Sequence, residues 1–318
     1  MSKQNSDQNL TRHFRVKLAP ELLKKLSVRS NWYGGFSLLV HLLLLVVCCY
    51  LSIALFQNEH YVSAFAFLLL YGVFFSFLGW AGLSHELSHN TVFKSRSLNQ
   101  FVLRVISFFL WNNHVYFSAS HAIHHQRTLE TGVDFEVKLP IKFSKPLMIF
   151  GFFNGAFDFY RVILYTLKNS LNVVEGPLAD TVFGRGKEKR KALVRNARFI
   201  IIGHITLMAI FYFTNNLSLI IFVCFGNFIA PSFNKVFGLS QHCGMQSDVS
   251  DVRLSTRTII LPRFFSFLYW NMNYHIEHHM YPNIPFYQLP ILHQNIKLEM
   301  PKSDTGLFRL FKLVFSSN

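Results

Sequence analysis

Four apolar runs, joined in pairs by two short loops that contain no Lys or Arg, leave this chain few folds to choose from. They cover residues 36–56 and 62–83, then 199–213 and 218–237. The first is long enough to cross a hydrocarbon core of about 30 Å. The third is short unless Arg195 and Arg198 lay their stems along apolar surface and keep their charges in the interface. With 51% hydrophobic residues, 36 Phe and a positive mean hydropathy, the natural class is an integral membrane protein. Of the 31 Lys and Arg, seven precede the first run and sixteen lie between the second and third. Eight more follow the main apolar part of the fourth, counting Lys235 at its end. Positive charge collects on the cytosolic side of a membrane, so both termini and the long middle segment are expected there, with the hairpin loops 57–61 and 214–217 outside. The net charge of +15 is thereby explained without nucleic acid.

Two further apolar stretches are interrupted. Residues 101–117 carry Arg104, Asn112, Asn113 and His114, and residues 148–167 carry Asn154, Asp158 and Arg161. A charge at mid-bilayer costs a few kcal/mol, so both are expected to lie at the interface or re-enter rather than span. The polar start of the chain contains no apolar signal core. Cys48, Cys49, Cys224 and Cys243 form no CxxC pair and suggest no disulfide framework. The expected fold is an all-α integral membrane protein with four transmembrane helices in two hairpins and a cytosolic helical cap. A basic segment 1–35 precedes a membrane domain 36–293, and a cytosolic tail 294–318 follows.

The chemistry-bearing residues are histidines. HELSH supplies His85 and His89, HAIHH supplies His121, His124 and His125, and HIEHH supplies His275, His278 and His279. Offsets of three and four place side chains on one face of a helix. Imidazole is the commonest protein metal ligand, and triplets this dense exceed what a core needs. The charge distribution puts all three clusters on one membrane side; a lone span at 101–117 would separate the first two. HELSH alone also matches the HExxH zinc-hydrolase helix, with Glu86 as base. That reading needs three protein ligands and leaves two triplets unexplained. Eight imidazoles suit two metal ions; iron accepts imidazole and activates O₂, and composition does not separate it from copper or manganese. Carboxylates that could orient the rings are Glu86, Asp134, Glu136, Asp248, Asp251 and Glu277. Asn271 and Asn273 could be polar groups of the site or helix caps, and Cys243 a buried thiol. Phe/Trp/Tyr-rich residues 108–117 and 264–274 could line an apolar pocket.

From about His85 to His293 the chain resembles the membrane fatty acid desaturase/hydroxylase superfamily, in the order and spacing of its three histidine boxes and in its two hairpins. The resemblance implies a non-haem di-iron centre at the cytosolic face. It implies ligand roles for His85, His89, His121, His124, His125, His275, His278 and His279. The family often adds a histidine between the fourth span and the last box, and His242 in SQHCGM matches it. His114 is a weaker candidate, and His13, His41, His60, His204 and His293 read as surface or span residues. In the acyl-CoA Δ9 branch an Asn one turn before the extra His holds metal through water. Gly238 stands at that position here, with Asn234 a turn further back. The run NMNYHIEHHMYPNIPFYQLP is most similar to bacterial-type desaturases. The implied activity is O₂-dependent desaturation of a fatty acyl chain or related lipid. Without an HPGG haem segment, electrons are expected from a separate donor of ferredoxin or cytochrome b5 type. Hydroxylation or ketolation at the same centre is the closest alternative, and an intramembrane zinc protease the more distant one.

Overall fold

In the computed structural model, residues 14–137 and 139–316 are described, and they are mostly helical with almost no strand. Two helices are long and apolar enough to cross a membrane, Asn31–Gln57 and Glu188–Phe213. The first starts five residues before the apolar run itself. The second absorbs the basic residues before position 199, so the run that looked short is the apolar end of a 26-residue helix. A third apolar helix, Tyr61–Ser76, folds back along Asn31–Gln57 after a turn in which Glu59 takes a φ of 63°. The Ser52 hydroxyl donates to the Ala64 carbonyl across this hairpin at 2.9 Å. Both long helices keep Leu39, Leu43, Val46, Ile202 and Ile205 on the outside, an apolar surface that lipid rather than water would cover.

The second apolar run, 62–83, is not one helix. The helix stops at Ser76, and residues 77–82 make a tight turn before the HELSH helix Leu83–Ser88 begins. Two glycines explain the break. A Cβ on Gly82 would stand 2.1 Å from the Phe77 carbonyl oxygen, and one on Gly79 would stand 2.8 Å from Asn234 Nδ2. Glycine also favours helix interiors less than Ala by about 1 kcal/mol. The turn re-aims the chain, so that HELSH does not simply continue the helix before it.

The fourth run, 218–237, is broken too. It contains a wide turn at Ile220–Cys224, a tight one at Gly226–Phe228, and only then a helix, Ser232–Ser240. Pro231 has no N–H to continue a ladder. Unwound backbone in an apolar setting must have its polar groups satisfied by neighbouring protein. Here the Tyr71 hydroxyl donates to the Phe222 carbonyl at 2.9 Å and Trp111 Nε1–H to the Cys224 carbonyl at 2.6 Å. In return Asn227 Nδ2 donates to the Leu110 carbonyl at 2.7 Å. Gly72 lets this segment press against Tyr61–Ser76; its added Cβ would lie 2.3 Å from the Ile229 carbonyl oxygen.

Between these hairpins, helix Arg96–Phe109 buries Asn99, Leu103, Ile106 and Ser107 and exposes Phe101 and Val105. That is an amphipathic helix, and the interrupted run 101–117 is divided between it and the helix that follows. Helix His114–Gln126 carries the second histidine cluster, and Ala156–Ser170 lies along Glu188–Phe213. The third cluster sits on the short helix His275–Met280. A separate core supports it, in which Ile276 and Met280 meet Leu289, Leu292, Val16 and Leu26. At the C-terminal end, helix Leu307–Ser316 fully buries Leu310 and Val314 against Ser232–Ser240 and belongs to the main core. A two-residue parallel pairing, Ile259–Ile260 with Asp304–Thr305, leads the chain into it.

Candidate metal centre

Each histidine cluster lies on its own short helical segment, and the three segments converge. His85 lies within Leu83–Ser88 with His89 as its C-cap. His121, His124 and His125 lie near the end of His114–Gln126, while His275, His278 and His279 lie on His275–Met280. An α-helix turns 100° per residue, so side chains at i and i+4 point nearly together while the one at i+3 diverges from i+4 by that angle. The structure uses this divergence. His121 and His125 join His85, His89 and His278 in one group of five. His275 and His279 join His124 and His242 in a group of four. The middle histidine of each triplet thus goes to the opposite group. Within each group the ligand-capable atoms lie within 4.8 Å of one another. The groups adjoin, with the His125 and His279 rings stacked at 4.2 Å.

Nitrogen positions show what these groups are built for. Nε2 atoms face one another at 2.8 Å (His85–His278), 2.9 Å (His89–His121) and 3.2 Å (His278–His125, His275–His242 and His279–His275). Several of these nitrogens carry no proton. His242 Nδ1–H donates to the Ser255 carbonyl at 2.9 Å, which leaves its Nε2 bare. The Thr128 hydroxyl donates to the His124 carbonyl at 2.7 Å and so accepts from His279 Nδ1–H at 3.1 Å, leaving His279 Nε2 bare as well. His121 Nδ1–H donates to Glu136 at 3.0 Å and His124 Nδ1–H to Asp134 at 2.8 Å. Lone pairs aimed at each other across 3 Å repel unless a cation lies between them. A metal about 2.1 Å from each nitrogen would put neighbouring nitrogens about 3.0 Å apart at right angles. The donor set fits a pair of imidazole-bound ions.

Protonation points the same way. Burial, reinforced by the neighbouring imidazoles, holds His85, His89, His125, His275 and His279 well below the ordinary histidine range. His242 is pushed down to about 3, chiefly by burial and then by His124. These rings are neutral at pH 7, the form that binds metal. His124 is the exception: burial pulls it down, but its hydrogen bond to Asp134 and the charges of Glu136 and Asp134 outweigh that and leave it raised.

Comparison with protein families matches the fatty acid desaturase model to residues 59–311, a span that holds all nine histidines. The chain belongs to the fatty acid desaturase family. Comparison with curated proteins finds no match.

Not every residue expected at the centre is found there. Of the six carboxylates, Asp134 and Glu136 hold imidazoles directly. Glu86 Oε1 lies 3.2 Å from His278 Nδ1, although the two are not aligned for a hydrogen bond. Glu277 faces away, accepting from His293 Nδ1 and the Thr258 hydroxyl, each at 2.5 Å. Asp248 accepts from Thr131, and Asp251 pairs with Arg253 and caps the helix Val252–Ser255. His114 belongs to neither group; burial and the Arg104 charge push it down to about 4. Cys243 is buried beside Arg257 and is outside both groups. Asn273 Nδ2 donates to the Ile259 carbonyl, and Asn271 adopts a φ of 52° in the turn before the last box. His41 and His204, buried on the two long helices, contact the Leu268 and Phe108 backbone carbonyls of neighbouring helices, while His13 lies outside the described residues.

One cavity adjoins the centre, and a second shares part of its wall. One of about 550 Å³ is lined by His85, His124, His242 and His275 together with Trp80 and Arg161. The other, about 570 Å³, shares Trp80 and Arg161 and adds Trp111, Asn112 and Asn234. The aromatic stretch 108–117 therefore contributes to a pocket, as anticipated. In the stretch 264–274, Tyr269 and Trp270 are packed in the core, and Phe264 is exposed. Trp80 was the residue that sequence reasoning missed. Its signal was Gly238, whose added Cβ would stand 2.4 Å from the Trp80 ring, so the glycine makes room for the indole.

Proposed function

We propose that this chain is an O₂-dependent desaturase that introduces a double bond into a fatty acyl chain or related lipid. The observation that carries this reading is the convergence of nine imidazoles into adjoining groups of five and four, all nitrogen donors and without a thiolate. His85, His89, His121, His125 and His278 would hold one iron, and His124, His242, His275 and His279 the other. Bound there, the two irons would supply O₂ activation and hydrogen abstraction. The overall change takes two hydrogens from adjacent carbons, two electrons and two protons from outside, and one O₂, and gives an alkene and two waters. The two electrons come from a separate donor of ferredoxin or cytochrome b5 type.

The chain's own residues have defined parts in this. Asp134, Glu136, Thr128 and the Ser255 carbonyl accept Nδ1–H and hold Nε2 toward the ions. The cavity beside His85, His124, His242 and His275 receives the acyl segment and excludes bulk water from it. In the membrane we place four spans in two hairpins, the second and fourth partly unwound, with the centre and both termini on the cytosolic side. This rests on the Lys/Arg distribution. A zinc hydrolase at HELSH fits less well. Glu86 is fully buried, and its Oε2 is engaged by the Thr91 hydroxyl at 3.0 Å and the Phe286 N–H at 3.2 Å, so it is not poised as a base beside an open metal position.

The test is expression in a host that lacks such activity, with mass spectrometry of its lipids. Species lighter by two hydrogens are expected, and they should vanish in His124→Ala. Species heavier by one oxygen would replace desaturation with hydroxylation, and an unchanged lipid profile in the presence of either electron donor would contradict both.

A further inference from the structure

We propose that His41 and His204 are a matched pair of positioning residues, each holding the tryptophan turn from which one histidine box enters the metal centre. Their role rests on the two-metal reading of that centre, not on the reaction proposed for it.

A short stretch occurs twice in the chain, as SFFLWN at 107–112 and SFLYWN at 266–271. The two copies fold alike. In the first, the Trp111 N–H donates to the Phe108 carbonyl at 3.0 Å and the Asn112 N–H to the Ser107 carbonyl at 2.9 Å. In the second, the Trp270 N–H donates to the Phe267 carbonyl at 3.1 Å and the Asn271 N–H to the Ser266 carbonyl at 2.7 Å. Both tryptophans take a φ of 55°, the left-handed conformation that glycine usually supplies where a helix ends. A bulky residue in that conformation is strained and persists only where its surroundings hold it. Each turn leads into a helix that carries a histidine box. His114–Gln126 begins three residues after Trp111, and His275–Met280 five residues after Trp270.

One histidine from a long helix holds each turn. His204, on Glu188–Phe213, is sandwiched between Phe108 at 4.5 Å and Trp111 at 4.0 Å, with the rings nearly parallel. Its Nε2 lies 3.0 Å from the Phe108 carbonyl oxygen. His41, on Asn31–Gln57, stacks on the equivalent pair, Phe267 at 5.5 Å and Trp270 at 4.8 Å. Its Nε2 lies 3.0 Å from the Leu268 carbonyl oxygen, and its Nδ1 faces the Ser37 carbonyl of its own helix at 2.7 Å. Each histidine stands five residues into its apolar run, about 7.5 Å along the helix from where that run begins. Packing alone does not call for imidazole here. Both rings are fully buried, and His204 Nδ1 has no partner among the described residues, a cost that Phe would avoid. What imidazole adds is a polar contact with the backbone of another helix, which fixes the turn as well as filling the space beside it. His41 thus acts on the third box through Trp270, and His204 on the second through Trp111.

Full-length protein in nanodiscs is to be loaded with cobalt(II), whose visible absorption reports its ligands, and the loss of cobalt to a chelator followed in time. His41→Ala and His204→Ala should each lose cobalt about tenfold faster or more, with a shifted absorption. Leu310→Ala, which opens a cavity outside both turns, controls for lowered stability and should leave the absorption unchanged. In a Trp270→Leu background His41→Ala should add less than about twofold, as should His204→Ala in Trp111→Leu, because each histidine acts through its tryptophan. Cobalt loss no faster than in Leu310→Ala overturns the proposal. So do single effects that persist in full in the double variants, or wild-type retention in His41→Phe and His204→Phe. A wild type that takes up fewer than two cobalt ions contradicts the two-metal centre itself, whereas two ions in the wild type with unaltered variants sinks the positioning role alone.

Discussion

His124 and Asp134 show how much of this centre depends on the nitrogen that faces away from the metal. Asp134 Oδ2 accepts from His124 Nδ1 at 2.8 Å and also from the Leu129 N–H at 2.9 Å, so the carboxylate is itself fixed before it fixes the ring. Asp134→Ala should leave the chain folded but weaken metal retention by the four-histidine group about 10- to 100-fold, measured by competition with a chelator. Glu136→Gln keeps an acceptor for His121 and should cost less. The residue scale was also where sequence reasoning was least complete. HxxHH spacing reveals ligands, because a helix fixes which side chains share a face. It does not reveal that the Ser255 carbonyl or Thr128 would sit behind His242 and His279, since those contacts are made by loop geometry and by a residue one turn beyond the cluster. Glu277 illustrates the converse. It lies inside HIEHH, yet it pairs with His293 and pins the last box to the helix Leu289–Ile296 instead of touching an imidazole of the centre.

At the scale of elements, apolar content located the apolar segments but overstated how regular they are. Residues 62–83 and 218–237 read as uniform spans because hydropathy is blind to Gly79, Gly82, Gly226 and Pro231 acting as breaks. The unwound stretch within 218–237 takes partners from elsewhere in the chain, Tyr71 and Trp111, which no local pattern announces. The final helix, Leu307–Ser316, was set apart as part of a tail, yet its Leu310 has no exposed surface. Leu310→Ala should therefore destabilise the protein by about 2–5 kcal/mol, the usual cost of such a cavity. A lower unfolding temperature of the detergent-solubilised protein would register it, and an unchanged one would mean that this helix is dispensable.

For the whole molecule, the organising constraint is that three histidine clusters far apart in sequence meet in one place. The absence of Lys and Arg from loops 57–61 and 214–217 predicts that Glu59→Cys and Asn215→Cys react with an impermeant maleimide from outside intact cells. Lys189→Cys should react only after the membrane is opened. Labelling of all three from one side would break the two-hairpin arrangement. The separation of nine imidazoles into five and four makes the more central claim, that this is a centre for two metals and not one. Its most direct test is metal analysis of the full-length protein purified without oxygen and supplied with ferrous iron. The account predicts close to two irons per chain, falling to about one in a His124→Ala, His242→Ala double variant that removes ligands from the four-histidine group alone. A wild type that holds one iron or fewer, or that retains zinc in preference to iron, would contradict it.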